Sequence, residues 1–348
     1  MSASNGNVPV TTAAGGGDAA LSSWEEQLDK AVAFIRERDD FLVVSHVQPD
    51  GDAISSTVAI GWLLEKLGKT YALYNDGPAP SRLRYLWGSD RLLTLAAGKP
   101  DRTYRSIIAV DCADFARVGA AKELFAPEAE LLNIDHHPTN DAFGAANLLR
   151  FDAAATAEIL FELLEAARVP LDVDVATAIY TGMLTDTGGF RYANTSPKVL
   201  AIASKLVELG VDGPGLAEQL LERMTMEQMS MIQRALARLT FSEDQRVGWL
   251  WVTPEDMSET GAKSEDLEGL VNYPRNIEGV EVGILFKQHG DDAVKVSMRS
   301  AGRVNVAAVA QQFQGGGHVR AAGCRVAAPL PDAIAQVVEA IRKALDAE

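Results

Sequence analysis

Cysteine, long apolar runs and positive charge are all scarce in this sequence. The 348 residues include two cysteines, Cys112 and Cys324, and their separation along the chain excludes a disulfide framework and fits a reducing cytosol. No apolar run reaches the roughly 18 residues that a membrane span requires. The formal net charge of −16 argues against binding to long duplex DNA, because duplex affinity depends on Lys and Arg contacts to phosphates. A short phosphate-bearing ligand in a local basic pocket remains compatible with this charge.

The start of the chain also lacks the features of a secretory signal. Residues 1–23 are rich in Ser, Ala, Gly and Asn, and they contain neither a basic start nor an apolar core. We expect a disordered tail here, with Gly15-Gly16-Gly17 acting as linker. A cytoplasmic protein without a membrane partner is therefore expected.

The succession of apolar segments predicts an α/β protein with two domains. Strands and helices alternate over residues 24–212, which predicts a mostly parallel sheet with helices on both faces. Residues 213–240 open with Gly-Pro-Gly and continue with helical periodicity, so we expect a helical linker. Residues 241–348 lose the strict alternation and predict a smaller α+β domain. The segment Val173–Leu184 reads as a buried helix or as a strand, because its periodicity fits both.

Four apolar segments of the first domain end in polar residues that can bind metal. These residues are His46, Asp50 and Asp52 after the first segment, Asp111 after the second, Asp135, His136 and His137 after the third, and Asp186 after the fourth. Ligands of open α/β sheets bind at the carboxyl ends of the strands. A single such end is most simply a polar loop, but four of them make coincidence a poor explanation.

Two imidazoles and four carboxylates suit a pair of divalent cations with one shared carboxylate. Mixed nitrogen and oxygen ligands favour Mn²⁺, with Fe²⁺, Co²⁺ or Zn²⁺ as alternatives, over Mg²⁺. Two ions roughly 3.5–4 Å apart can stabilise both the attacking and the leaving oxygen of a phosphoryl displacement. A bridging water would lose a proton near neutral pH and serve as nucleophile, so the reaction needs no Ser or Cys nucleophile.

The second domain contains a glycine-rich stretch, Phe313–Cys324, which reads FQGGGHVRAAGC. Gly315, Gly316 and Gly317 would let the backbone approach an anion, and His318 would add a donor. Taken alone, this stretch is most simply a glycine-rich turn. Upstream, strand alternation places Lys295, Ser297 and Arg299 on one face, and Arg can grip phosphate with two hydrogen bonds.

In order and spacing, the polar segment ends resemble the four motifs of the DHH phosphoesterase superfamily. The stretch GGGH with an upstream Ser-x-Arg-Ser resembles the DHH-associated C-terminal domain, which binds the nucleotide part of the substrate. The resemblance covers about Phe41 to Val326. One departure concerns Gln314, because many relatives have a glycine there. A positive φ at this position would strain Gln314.

The resemblance implies two metal sites that share Asp111. The ligands would be His46, Asp50 and Asp111 for one ion, and Asp52, Asp111, His136 and Asp186 for the other. His137 would face the substrate phosphate, and Asp135 would orient the two histidines without binding a metal ion itself. In the second domain, Arg299 and His318 would bind a substrate phosphate beside the three glycines.

Within the superfamily, the two-domain layout resembles the oligoribonuclease and pAp phosphatase group. That resemblance implies hydrolysis of very short RNA to mononucleotides and of 3′-phosphoadenosine 5′-phosphate (pAp) to AMP. A phosphodiesterase for linear or cyclic dinucleotides such as pApA or c-di-AMP is the enzymatic alternative, and a nucleotide-binding module without turnover is the non-enzymatic one. The expected binding partners are short RNA or small nucleotides, and duplex DNA is not expected to bind. A homodimer is compatible with the sequence.

Overall fold

The structure is a computed structural model, which describes residues 22–94, 98, 100 and 102–347. Most of the expected tail therefore lies outside the described residues. The chain divides into two compact units between Arg223 and Met224. This boundary falls inside the expected linker, so residues 213–223 belong to the first unit and residues 224–240 to the second.

Within the described residues, the first unit contains a sheet of six strands in the order β3-β2-β1-β4-β5-β6. The strands are β1 (Phe41–Val44), β2 (Tyr71–Asn75), β3 (Leu92–Thr94), β4 (Tyr104–Val110), β5 (Phe125–Asp135) and β6 (Ala146–Leu149). Neighbouring strands pair in parallel. β1, β4 and β5 are adjacent, so their carboxyl ends meet at one edge of the sheet.

Helical segments cover each face of this sheet, as the fold class predicted. The α-helices are α1 (Trp24–Glu37), α2 (Gly51–Lys66), α3 (Thr156–Ala166), α4 (Val173–Asp186), α5 (Pro197–Glu208) and α6 (Gly213–Ala217). Side chains from these helices and one face of the sheet form a single hydrophobic cluster. The opposite face packs against a 3₁₀ segment, Phe115–Leu124. The ambiguous segment before Asp186 is a helix, and most of it is buried.

Residues 224–347 form the second unit, a mixed sheet of six strands in the order β11-β12-β10-β9-β8-β7. Its strands are β7 (Thr240–Phe241), β8 (Val247–Val252), β9 (Val282–Gln288), β10 (Val294–Ser300), β11 (Gly316–His318) and β12 (Ala321–Val326). Its helices are α7 (Met226–Leu236), α8 (Pro254–Thr260), α9 (Asn272–Arg275), α10 (Val306–Gln311) and α11 (Leu330–Asp346). α10 and α11 pack on one face, and α7 packs on the other.

Residues 213–240, which were expected to form a helical linker, form two separate helical segments on either side of this boundary. α6 continues into a π-helical turn, Glu218–Glu222, and the backbone then becomes extended at Arg223. Thr225 starts α7 by accepting a hydrogen bond from the Gln228 amide at 2.9 Å. A threonine side chain that caps a new helix favours this break over one continuous helix. Among the described residues, no helix has both the length and the apolarity to cross a bilayer.

Candidate metal centre

Three adjacent strands and two helices bring the expected ligands to one edge of the first sheet. His46 lies in the loop after β1, and Asp111 and His136 directly follow β4 and β5. Asp50 is the N-cap of α2, and it accepts a hydrogen bond from the Ala53 amide at 3.1 Å. Asp52 and Asp186 complete the group from the first turn of α2 and the last residue of α4.

Asp111 lies between the two imidazoles and turns one oxygen towards each. Its Oδ2 is 3.6 Å from His46 Nε2, and its Oδ1 is 3.7 Å from His136 Nε2. On the outer sides, His46 Nε2 is 3.8 Å from Asp50 Oδ2, and His136 Nε2 is 3.3 Å from Asp186 Oδ2. This arrangement has the geometry of a carboxylate shared between two sites.

Two three-residue groups have ligand atoms close enough to hold one ion each. The ligand atoms of His46, Asp50 and Asp111 lie within 4.8 Å of one another, and so do those of Asp52, His136 and Asp186. A further group joins Asp111 to the Asp-His-His stretch at residues 135–137. Imidazole with carboxylate is a donor set that divalent transition metals accept.

The backbone at Asp111 is unusual and helps to aim its carboxylate. Its φ is 57°, in the left-handed region that only Gly, Asn and Asp visit readily. The Asp111 amide donates to the Ile134 carbonyl at 3.0 Å, which ties the end of β4 to β5. Backbone held in such a conformation is typical of functional sites.

The charges within this cluster favour a bound cation. Burial, and then the negative charge of Asp111, raises the pKa of Asp52 well above its usual value. Burial also raises the pKa of Asp186, and the charge of Asp50 adds to the effect. Burial alone would lower the pKa of His46, yet its hydrogen bonds to Asp111 and Asp50 raise it to about 10. Because the carboxylates repel one another, the residues present fit a divalent cation.

Both candidate imidazole ligands are held with Nε2 towards the cluster. His46 Nδ1 is 2.9 Å from the Val47 carbonyl, and His136 Nδ1 is 3.2 Å from the Ala153 carbonyl. A carbonyl oxygen only accepts, so each Nδ1 carries a proton, and the Nε2 lone pair is directed at the cluster once Nε2 has lost its own proton. This is the tautomer that a metal ligand requires.

Asp135 is fully buried and fixes the second histidine of the pair. Its Oδ1 accepts from His137 Nδ1 at 2.8 Å, and its Oδ2 accepts from Asn140 Nδ2 at 2.6 Å. The Asn140 amide also donates to the Cys112 carbonyl at 2.9 Å. Asp135 therefore fixes the orientation of the His137 ring through its Nδ1.

Sequence reasoning missed Thr156, which joins Asp52 to Asp111. The Thr156 amide donates to Asp52 Oδ2 at 2.7 Å, and the Ala157 amide donates to Asp52 Oδ1 at 3.1 Å. The Thr156 hydroxyl donates to Asp111 Oδ1 at 3.0 Å. α3 has Ala155 at its N-cap, without a side-chain cap, so a carboxylate from α2 satisfies its first amides. A helix start with no capping side chain was the available signal.

The second unit places Arg299 and His318 in one row across three strands. Arg299 pairs with Ala321 of β12, and Ala321 pairs with His318 of β11. Along β10, Lys295, Ser297 and Arg299 are half-buried and alternate with buried residues, as expected. The glycine-rich stretch is not a free loop, because residues 316–318 form the edge strand β11.

The three consecutive glycines differ in what surrounds them. A Cβ on Gly315 would lie 2.2 Å from the Gly323 carbonyl oxygen, and one on Gly317 would lie 2.5 Å from the Ala321 carbonyl oxygen. Nothing lies within 4 Å of a Cβ built on Gly316. Close packing of the β11–β12 hairpin therefore requires Gly315 and Gly317, whereas Gly316 has room for a ligand. Gln314 has a φ of 57°, so the condition under which this residue is strained is met.

Two family models match the chain. Residues 40–183 match the DHH family, N-terminal domain, and residues 247–347 match the DHHA1 domain. The fold is similar to that of an exopolyphosphatase-related protein from Bacteroides fragilis, with a TM-score of 0.82 and 24% identity, covering 92% of this chain and 96% of that one. At this identity the solved structure supports the fold alone.

Curated relatives are similar over most of the chain. Identity is 33% over 326 residues with the bifunctional oligoribonuclease and PAP phosphatase NrnA of Thermus thermophilus, covering 92% of this chain and 95% of that protein. It is 24% with the protein of the same name from Bacillus subtilis, over 83% and 90% of the two chains. The cyclic-di-AMP phosphodiesterase PdeA of Listeria monocytogenes is 24% identical over 88% of this chain but 48% of that protein.

Proposed function

Because the chain belongs to the DHH phosphoesterase family and carries a DHHA1 domain, we propose that it hydrolyses very short RNA to mononucleotides and pAp to AMP. One observation carries this proposal: the two ligand groups of the first unit approach one another through the shared residue Asp111. The similarity to the Thermus NrnA protein over 95% of that protein's length supports the choice of substrates.

We propose two divalent ions, most simply Mn²⁺, held by the residues already described. His46, Asp50 and Asp111 would hold one ion, and Asp52, Asp111, His136 and Asp186 the other. When bound, such ions lower the pKa of water and neutralise charge on a phosphate. The fixed Nδ1 protons of His46 and His136 support this ligand set, because both Nε2 atoms then face the carboxylates of the cluster.

The remaining site residues would bind and position the substrate. Asp135 holds His137 by Nδ1, so that Nε2 can donate to the phosphate under attack when the imidazole is protonated. Arg299 and His318 would bind another phosphate of the substrate, with Gly316 leaving room for it. Arg suits this role because its guanidinium can donate two parallel hydrogen bonds to phosphate.

A phosphodiesterase acting on linear or cyclic dinucleotides is the second candidate, favoured by the similarity to PdeA. That relative is twice as long as the shared region, which weighs against this candidate as the first choice. A binding module without turnover is a third candidate. The presence of all the expected ligands in one cluster disfavours it.

A substrate panel separates these candidates. An RNA dinucleotide, pAp and cyclic di-AMP are incubated with purified protein and Mn²⁺, with and without EDTA, and released nucleotide is measured. We expect turnover of the first two that EDTA abolishes. Turnover of cyclic di-AMP alone would favour the second candidate, and no turnover with any divalent metal would favour the binding module.

Two substitutions assign the roles of the two units. Asp111→Ala is expected to abolish turnover, because both ligand groups lose a member, whereas Asp174→Ala, at the exposed start of α4, serves as the matched carboxylate control. Arg299→Ala is expected mainly to raise KM. Full activity of Asp111→Ala would reject the shared ligand, and an unchanged KM in Arg299→Ala would remove that residue from substrate binding.

A cytoplasmic location is part of the same proposal. Cys112 and Cys324 are free and buried, which fits a reducing compartment. Short RNA and small nucleotides, the proposed substrates, are cytoplasmic molecules. Cell fractionation tests the location, and sedimentation of the purified protein decides between monomer and homodimer.

A further inference from the structure

Three cations lie directly opposite one another on neighbouring strands of the second sheet. Lys295 on β10 pairs with Lys287 on β9 and with Arg325 on β12. Like charges in directly opposite positions destabilise a sheet. The sequence contains 48 acidic residues against 32 basic ones, so three adjacent cations depart from the general charge of the protein. We call Lys287, Lys295 and Arg325 the cationic row.

The cationic row occupies one face of the sheet. Val294 and Val296 flank Lys295, and Cys324 and Val326 flank Arg325, and all four are buried in the cluster that contains α10 and α11. Strand alternation therefore directs Lys295 and Arg325 to the opposite face. Lys287 and Lys295 are half-buried there, and Arg325 is exposed.

The charges of Lys287 and Arg325 are not closely compensated. Among the described residues, neither Lys287 nor Arg325 has a carboxylate oxygen within 4.0 Å of its charged nitrogens. Burial, and then the positive charge of Lys295, lowers the pKa of Lys287 to about 8, although Glu268 acts in the opposite direction. An ammonium held in this state is stabilised by a bound anion.

The cationic row is separated from the phosphate ligand already proposed. Arg299 lies four residues beyond Lys295 on β10, about 13 Å away at the usual strand rise. Between them, Ser297 pairs with Gly323, which in turn pairs with Gly316. Small residues thus separate the two cationic positions along the sheet, although the charge of Arg299 also contributes to the lowered pKa of Lys287.

We infer that the cationic row binds a second backbone phosphate of an oligonucleotide and thereby favours RNA longer than a dinucleotide. This inference rests on the proposed function, since it assumes an RNA substrate that also contacts Arg299. Lys and Arg bind backbone phosphates without regard to sequence. The cationic row would therefore set a preference for length and not for base.

The test uses the full chain with the double substitution Lys295→Ala and Arg325→Ala, which leaves the more buried Lys287 in place. With Mn²⁺, we expect kcat/KM for an RNA tetranucleotide to fall about tenfold, while the values for an RNA dinucleotide and pAp stay unchanged. Calorimetry in EDTA should show the same selective loss of tetranucleotide affinity. The slope of log affinity against log salt should shrink by about 0.7 for each cation removed.

Lys343→Ala is the matched control, because Lys343 is a cation on α11 with 75% of its side chain exposed, on the opposite face of the sheet. Equal losses on dinucleotide and tetranucleotide, or no loss on either, would overturn the inference. So would a native protein that binds the tetranucleotide no more tightly than the dinucleotide. If the native protein turns over no RNA, the proposed function fails, and calorimetry still decides whether the cationic row binds the longer chain.

Discussion

Thr156 supports two candidate ligands at once, although it would contact neither ion. Its amide holds Asp52 and its hydroxyl holds Asp111. Substitution of such supporting residues typically costs 10–100-fold in metal affinity or activity. The uncapped start of α3 signals a missing partner, but the local sequence does not identify that partner, because the contacts join residues 104 and 45 positions apart.

Thr156→Val is therefore expected to weaken Mn²⁺ binding about tenfold, since it keeps the side-chain shape but removes the hydroxyl donor. Thr156→Ser restores the donor and should retain most of the affinity. Calorimetric titration with Mn²⁺ measures both variants. Equal affinities for Val and Ser would show that the hydroxyl has no part in holding Asp111.

Gln314 is a second feature at the scale of a residue, and the glycine that many relatives have there raised the question of a positive φ, which the structure answers with 57°. A non-glycine residue in the left-handed region costs roughly 1–2 kcal/mol. Replacement by glycine removes this strain, but glycine also has more conformational freedom in the unfolded chain, which offsets part of the gain in stability. Gln314→Gly is expected to raise the free energy of unfolding by about 0.5–1 kcal/mol. Gln314→Ala keeps the Cβ and should bring no gain in urea unfolding. A gain in both variants would assign the effect to the Gln side chain instead.

At the scale of elements, the sequence predicted best where apolar runs end in charged residues. The ends of β1, β4 and β5 were located correctly, because buried parallel strands are continuous apolar runs. The short strands β3, β6, β7 and β11 were missed, since two to four residues carry too little periodicity. The helix before Asp186 stayed ambiguous because α4 is buried on most sides, which removes the amphipathic pattern.

The contact between α2 and α4 brings Asp52 towards Asp186, and it depends on Gly182. A Cβ at this position would lie 2.5 Å from Asp52 Oδ1 and 2.6 Å from the Ala157 Cβ. Gly182→Ala is expected to lower the free energy of unfolding by about 1–3 kcal/mol through overpacking and to weaken Mn²⁺ binding by moving Asp52.

Thr177→Ala, on the same helix, adds no atoms and serves as the control for helix propensity. Chemical unfolding and Mn²⁺ titration are measured for both variants. If Gly182→Ala keeps native stability and metal affinity, the close approach of the two helices is not what positions Asp52.

At the scale of the whole molecule, the strand order of the first sheet decides whether the ligands meet. Periodicity predicted parallel strands but not that β4 would lie between β1 and β5, which places Asp111 between His46 and His136. That arrangement was expected through the resemblance to known motifs and not from the spacing of residues. The contact that holds Asp52 at α3 depends on the same tertiary arrangement.

The balance of charge in this cluster predicts how the stability of the whole chain depends on pH and metal. In the folded metal-free state, the pKa values of Asp52 and Asp186 are raised, and that of His46 is raised from 6.5 to about 10. A group whose pKa is higher in the folded state than in the unfolded state binds more protons in the folded state. The stability that these groups contribute is present at low pH and is lost as the pH rises through the pKa of the folded state. The metal-free protein should therefore lose stability between pH 6.5 and about 10.

Bound Mn²⁺ should reverse this trend, because metal binding requires deprotonated ligands and stabilises the folded state by mass action. In EDTA, Tm is expected to fall from pH 7 towards pH 9, roughly in step with loss of the His46 proton. With saturating Mn²⁺, Tm should be higher by several degrees and should not fall over the same range. Thermal melts of the native chain and of His46→Gln measure both effects, and the variant should show a flatter dependence in EDTA. A native Tm that rises with pH in EDTA would mean that His46 and its carboxylates do not share protons as the distances indicate.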